Sequence, residues 1–187
     1  MYRLTLEFSD YGTEPVSLEE AKNHLRVSND LEDTLIGEII SSAREWCENY
    51  CNRSFIEKTV ELYISQANDT YEFDITHGPI LSIDEVYSID KSGTETLLTL
   101  NGDYYLYGSK YKTIEFTQSA SENISYKIVY TTQDDCPDSV KQAILKLVNE
   151  MWVNRGLIEE QGGFTGSELK TFNVRQILNG FKNRVWI

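Results

Sequence analysis

The stretch from Asp30 to Asn52, DLEDTLIGEIISSAREWCENYCN, is the longest in the chain with an unbroken helical period. Its apolar side chains recur at Leu31, Leu35, Ile36, Ile39, Ile40, Ala43, Trp46, Cys47, Tyr50 and Cys51, which places them on one face of a helix. Glu32, Asp33, Glu38, Ser42, Arg44, Glu45 and Glu48 fall on the other face, so the helix is expected to lie against a core with that second face wet. Asp30 has the side chain to cap the first turn, Glu32 and Asp33 suit the positive end of the helix dipole, and Asn52 suits the left-handed residue that ends a helix. Each large residue of the stripe contributes roughly 1.5–3 kcal/mol on burial, before conformational entropy is subtracted, so this helix is the expected centre of the core.

Upstream, Tyr2, Leu4, Leu6 and Phe8 alternate with polar residues and predict a short extended arm. Ser17 and Glu20 have capping-box spacing, and a short helix to about Val27 is expected to turn Leu18, Ala21, Leu25 and His24 toward the core. Downstream of Asn52 the period changes to two. Val60, Leu62 and Ile64, then Phe73 and Ile75, alternate with polar neighbours, and Ile83 to Ile89 gives another strand. Shorter pieces follow near Leu97 and from Tyr104 to Tyr107. Lys112–Phe116 and Ile124–Tyr130 read as a hairpin around Ser119 to Asn123, and the tyrosines of this region are expected to pave one face.

The helical period returns at Pro137 with Val140, Ala143, Ile144, Leu147, Val148, Met151 and Trp152, and Gly156 should end it. This second long helix has the face to pack on the first, with Trp46 and Trp152 both substantially buried. Residues 158–166, containing Gly162, Gly163 and Gly166, read as a surface loop; they match neither phosphate-binding glycine pattern. A final short helix runs through Val174, Ile177 and Leu178. The fold class predicted from these elements is α+β: a mainly helical bundle, two long antiparallel helices plus short ones, with an inserted antiparallel β subdomain. One domain is expected over residues 1–187, its helical core at about 15–53 and 137–187 and its β insertion at about 55–131.

Thirty acidic against seventeen basic residues give a net charge of −13 spread along the chain, and no basic cluster is dense enough to hold a polyanion. Two helices joined by a tight turn raise the possibility of a helix-turn-helix DNA reader, but Asp30, Glu32 and Asp33 would face the phosphates. The first residues lack the pattern of a secretory signal, and no apolar run has the length to span a bilayer. Synthesis in a cytoplasm is the expectation, with no membrane partner. Three cysteines, Cys47, Cys51 and Cys136, are too few for a disulfide framework and read as reduced core residues.

Only two histidines are present, His24 and His77, in different elements, so neither a metal triad nor a Ser-His-Asp arrangement is nominated. Acidic pairs such as Asp84-Glu85 and Asp134-Asp135 read as solvated surface rather than as a hydrolase dyad. No catalytic, cofactor-binding or metal-binding residue is assigned.

The segment Pro15 to Val27, followed by Asp30 to Ile40 and Ala43 to Glu48, resembles the opening of the head-to-tail connector proteins of tailed double-stranded DNA bacteriophages. The resemblance continues at Asn52-Arg53, through the β region, along Pro137 to Arg155, and at Arg184-Val185-Trp186. Phe181-Lys182-Asn183 stands where the family often has Pro-Tyr before the terminal Arg. The resemblance implies a structural, non-enzymatic role: an adaptor or head-completion protein that joins the portal vertex as a ring after DNA packaging and receives the tail or the next neck protein. Implied partners are the portal protein, a tail or neck completion protein, and further copies of the chain. The ring would be dodecamer-like in the virion, with a monomer in isolation as the other expected state. DNA would pass the acidic wall without sequence-specific binding. Phe181, Arg184, Val185, Trp186 and Ile187 are the candidate interface, since a free terminus would leave these apolar groups in water; the competing reading is that the tail completes the chain's own core. The alternative classes are a stand-alone binding module or an acidic hydrolase.

Overall fold

A computed structural model describes residues 3–10, 12–65, 72–117, 125–154 and 167–183. Its contacts divide into two compact units. One holds the first strand with the strands between Ile56 and Asp134; the other holds Thr13–Phe55 with the helices that follow Asp135.

In the helical unit, α1 (Leu18–Leu25) opens with the capping box predicted from its spacing. The Ser17 hydroxyl accepts from the Glu20 backbone N–H at 3.2 Å, and the Glu20 carboxylate accepts from the Ser17 N–H at 2.8 Å. The helix stops at Arg26, which adopts a left-handed conformation at φ 59°. Ala21 is buried and Leu25 packs on the core, whereas Leu18 and His24 point outward.

The long helix α2 spans Asp33–Cys51, three residues shorter at its start than its apolar period suggests. Asp30 does not cap it, because Lys22 draws that carboxylate away: its ammonium bridges Asp30 at 2.6 Å and Asp33 at 2.7 Å. Leu31 is consequently left in the turn, 92% exposed, and Leu35 is also exposed. The predicted stop is present, with Asn52 left-handed at φ 51°.

Helix α3 (Asp138–Val153) starts at Pro137 and packs on α2, and α4 (Ser167–Leu178) packs on α3, ending in a 3-10 turn, Asn179–Phe181. Their common core runs through Ile36, Ile40, Ala43, Cys47, Ile144, Leu147, Val148 and Leu178. Trp46 and Trp152 lie at its margin and are only partly buried. The glycine-containing segment 158–166 lies outside the described residues.

The β unit has two antiparallel sheets. The larger orders β1 (Arg3–Asp10), β2 (Lys58–Ser65), β8 (Ser125–Thr132), β4 (Ile80–Ile89) and β5 (Glu95–Leu97) as β1-β2-β8-β4-β5. The smaller orders β3 (Glu72–Asp74), β7 (Lys112–Phe116) and β6 (Tyr104–Gly108) as β3-β7-β6. Strands β2 and β8 alternate buried and half-buried along their whole length, the period-two pattern of a sheet with one face on a core. Both sheets contribute to one apolar cluster, in which Val60, Leu62, Ile64 and Ile128 meet Phe73, Ile114 and Phe116. The Phe116 and Tyr126 rings stack with centroids 3.7 Å apart.

At the level of strands and architecture the structure differs from the sequence reading or extends it. The fold is not a mainly helical bundle with two long helices: four α-helices and eight strands in two antiparallel sheets share the described residues about equally. The physical reason is that the strands close over a core of their own. The amino-terminal arm is a full strand, paired residue for residue with β2 from Arg3↔Ser65 to Asp10↔Lys58. Strands β7 and β8 do not form a hairpin, since β7 pairs with β3 and β6 while β8 pairs with β2 and β4. The tyrosines do not pave one face: Tyr104, Tyr126 and Tyr130 are core residues, whereas Tyr105, Tyr107 and Tyr111 are exposed.

Candidate assembly surfaces

In the helical unit the most tightly organised polar feature is one that the helical period placed on the wet face. Arg44 and Glu48 are 2% and 3% exposed, and the Arg44 guanidinium donates to the Glu48 carboxylate at 2.7 Å, one turn along α2. Arg44 also reaches Glu14 at 3.0 Å, and Ser41 donates to that same carboxylate at 2.8 Å. The second oxygen of Glu48 accepts the backbone N–H of Phe55 at 2.6 Å. Arg53 pairs with Asp135 at 2.9 Å, joining the end of α2 to the approach to α3. Removing two charges from water is unfavourable unless geometry and further hydrogen bonds compensate, and here both carboxylate oxygens of Glu48 are satisfied. The network fixes the segments before α1 and after α2 against the helix. The missed signal is an i,i+4 Arg–Glu pair at the margin of the apolar stripe.

The thiols behave as core groups. Burial pushes Cys51 up to about 11 and Cys47 higher still, with neighbouring thiol and carboxylate charges acting in the same direction on Cys47. Neither is a nucleophile at neutral pH. Among the described residues no three His, Cys, Asp or Glu side chains converge as a metal site, and no helix is long and apolar enough to cross a membrane. His24 lines a shallow depression with Lys146, Glu150 and Asn173, whereas His77 is buried edge-on against Phe8.

Exposed apolar and aromatic groups stand on the surface of both units. At the amino-terminal end of α2 stand Leu31 and Leu35 among Asp30, Glu32 and Asp33. At its carboxyl-terminal end the Tyr50 ring lies parallel to Trp46 with centroids 5.4 Å apart. The Lys182 ammonium is 3.9 Å from the Tyr50 ring centroid and the Arg175 guanidinium 6.0 Å, while the Tyr50 hydroxyl donates to Asn179 at 2.8 Å. In the β unit, Leu97, Leu100, Tyr105 and Tyr107 are exposed. Several tyrosines there donate to a carboxylate on the same surface, Tyr63 to Glu61 at 2.6 Å and Tyr107 to Glu115 at 2.7 Å. The hydrogen bond to Glu61, with some burial, pushes the Tyr63 phenol up to about 12.

Of the residues nominated from the sequence as an interface, Phe181 is half-buried against the helical core, at the end of the 3-10 turn. The chain is tied down just beyond it, where the Asn183 N–H donates to the Cys51 carbonyl at 2.8 Å. Arg184, Val185, Trp186 and Ile187 lie outside the described residues.

Two antiparallel sheets and a four-helix unit make up an α+β fold with apolar groups exposed on its surface. Residues 15–96 match the family model of the phage gp6-like head-tail connector proteins, the family that the sequence resembles. The fold is shared along the whole chain with subunits of gene transfer agent (GTA) particles. The neck of an empty GTA particle computed with C6 symmetry gives a TM-score of 0.71 at 14% identity, covering 97% of each chain. The virion of a native GTA particle gives 0.69 at 14% identity, covering 96% of this chain and 97% of that one. The neck of the native particle computed with C12 symmetry gives 0.63 at 12% identity, again covering 97% of each. No curated protein sequence matches the chain. The family match and the shared fold support a structural connector role.

Proposed function

We propose that this protein is a head-tail connector that joins the portal vertex as a ring after DNA packaging and presents the attachment site for the tail or the next neck protein. The observation that carries the reading is the connector-family match over Pro15 to Thr96, which covers α1, α2, β2 to β4 and the start of β5. The necks with C6 and C12 symmetry support a ring of like subunits in a virion neck, and synthesis in the host cytoplasm is part of the same proposal. Residues 1–187 act as a single connector domain, with a helical core at about 15–53 and 137–187 and a β part at about 55–131. The role needs no catalysis: portal, tail or neck protein and neighbouring copies are the partners, and DNA slides past a wall whose net charge of −13 repels phosphate.

The carboxyl terminus is the assembly contact in this reading. Phe181, Val185, Trp186 and Ile187 supply apolar surface, and Arg184 supplies a planar donor for a carboxylate on the portal or on an adjacent copy. Deleting Arg184 to Ile187 tests it. The shortened protein should keep its melting temperature but fail to join portal-bearing heads; a fall of many degrees in the isolated chain would assign the tail to the core instead.

A further inference from the structure

We infer that the ring closes head to tail through the two ends of α2, the acidic turn carrying Leu31 in one subunit seating on the Tyr50–Arg175–Lys182 ledge of the next. This rests on the ring reading above. A cyclic ring of identical chains needs a heterologous contact, in which two different patches of the same chain are mutually complementary. The patches must face away from each other. The nineteen residues of α2 separate its two ends by about 28 Å, and each end carries one patch.

The first patch is an apolar knob in an acidic setting. Leu31 is 92% exposed, yet its turn is pinned: the Asn29 side chain accepts the Leu31 N–H at 3.1 Å, and Lys22 bridges Asp30 and Asp33. Holding a leucine in water on a turn fixed on both sides has no benefit for the isolated chain. Asp30, Glu32 and Asp33 outnumber the single Lys22, so the knob is net negative. Leu35 extends its apolar surface by one turn.

The second patch is cationic and aromatic. Arg175 and Lys182 are both exposed over the half-buried Tyr50, and among the described residues neither is within ion-pair distance of a carboxylate. Elsewhere in the helical unit Lys22, Arg44 and Arg53 each have acidic partners. Two cations without such partners, side by side in a protein of charge −13, are what Asp30 and Glu32 of a neighbouring copy would meet. The Trp46–Tyr50 pair supplies the apolar margin for Leu31, and aromatic residues and Arg are the types enriched at such contacts.

Charge exchange tests the pairing in the full chain, with ring formation read by native mass and negative-stain microscopy at high concentration and on portal-bearing heads. Arg175→Glu with Lys182→Glu, or Asp30→Lys with Glu32→Lys, should each lower ring yield about tenfold or more, and the chain carrying all four should regain rings. Rings of undiminished yield from either pair alone overturn this contact while leaving the ring reading intact. A wild-type chain that forms no ring in either setting overturns the ring reading and this contact with it. Should a reversed chain melt early, a short bismaleimide decides: in a Cys136→Ser background, Leu31→Cys with Lys182→Cys should give a ladder of cross-linked copies, whereas either substitution alone should not. Wild-type rings without that ladder sink the proposal.

Discussion

At the residue scale, the Arg44–Glu48–Glu14 network makes the sharpest stability prediction. Arg44→Met removes the cation from the buried Glu48 carboxylate, and breaking a buried pair from one side costs about 3–5 kcal/mol. For a chain of this size that lowers the melting temperature by about ten degrees. Glu48→Gln keeps an oxygen for the Phe55 N–H and leaves Arg44 its contact with Glu14, so its loss should be less than half as large in the same calorimetric scan. The thiols make a second prediction. In native protein at pH 8, a maleimide followed by mass measurement should label half-buried Cys136 well ahead of Cys47 and Cys51. Folding raises the Cys51 thiol to about 11 from its ordinary 9.0, so its contribution to stability is fully present below pH 9 and is lost as pH climbs toward 11. Denaturant titrations at pH 8 and pH 10.5 should therefore give the lower stability at the higher pH, by a smaller margin in Cys51→Ala.

At the element scale, β1 bears weight that its position at the start of the chain does not suggest. It covers one edge of β2, whose Val60, Leu62 and Ile64 are fully buried, and its Leu4 and Leu6 pack on the same core. Removing residues 1–10 strips that ladder and turns a buried strand into an open edge. The shortened chain should melt several degrees lower and show concentration-dependent association by light scattering; an unchanged midpoint would mean that β1 is dispensable. The helices were the legible elements. Their 3.6-residue period, the Ser17–Glu20 box and the left-handed Asn52 are local signals that neighbours do not alter. The expected β7–β8 hairpin is absent because alternation reports which face of a strand is buried and says nothing about which strand lies beside it.

At the scale of the whole molecule, the charge distribution carries the prediction. With thirty acids to seventeen bases, the isolated protein should give no measurable shift of duplex DNA at physiological salt. A tight complex whose affinity falls steeply with salt would contradict the picture of a repulsive channel wall. The groups used by the proposed contact between copies are few against this acidic background: Leu31 and Leu35 at one end of α2, Arg175 and Lys182 at the other. The acidity was legible from composition, but the placing of two cations over Tyr50 was not, because α4 and α2 are more than a hundred residues apart in the chain.

The sequence by itself determined the helices, the Ser17–Glu20 capping box, the Asn52 stop, the strand-forming segments and the connector resemblance, since each rests on residues close together in the chain or on a local pattern. Tertiary structure alone decided that the strands close into two sheets over their own core, that the first residues join β2, and that Arg44 and Glu48 are buried while Leu31 is not. The reason is the same in each case. Burial and pairing depend on which distant segment arrives alongside: Glu14 and Phe55 enclose the Arg44–Glu48 pair, and Lys22 draws Asp30 away from the helix it would otherwise have capped.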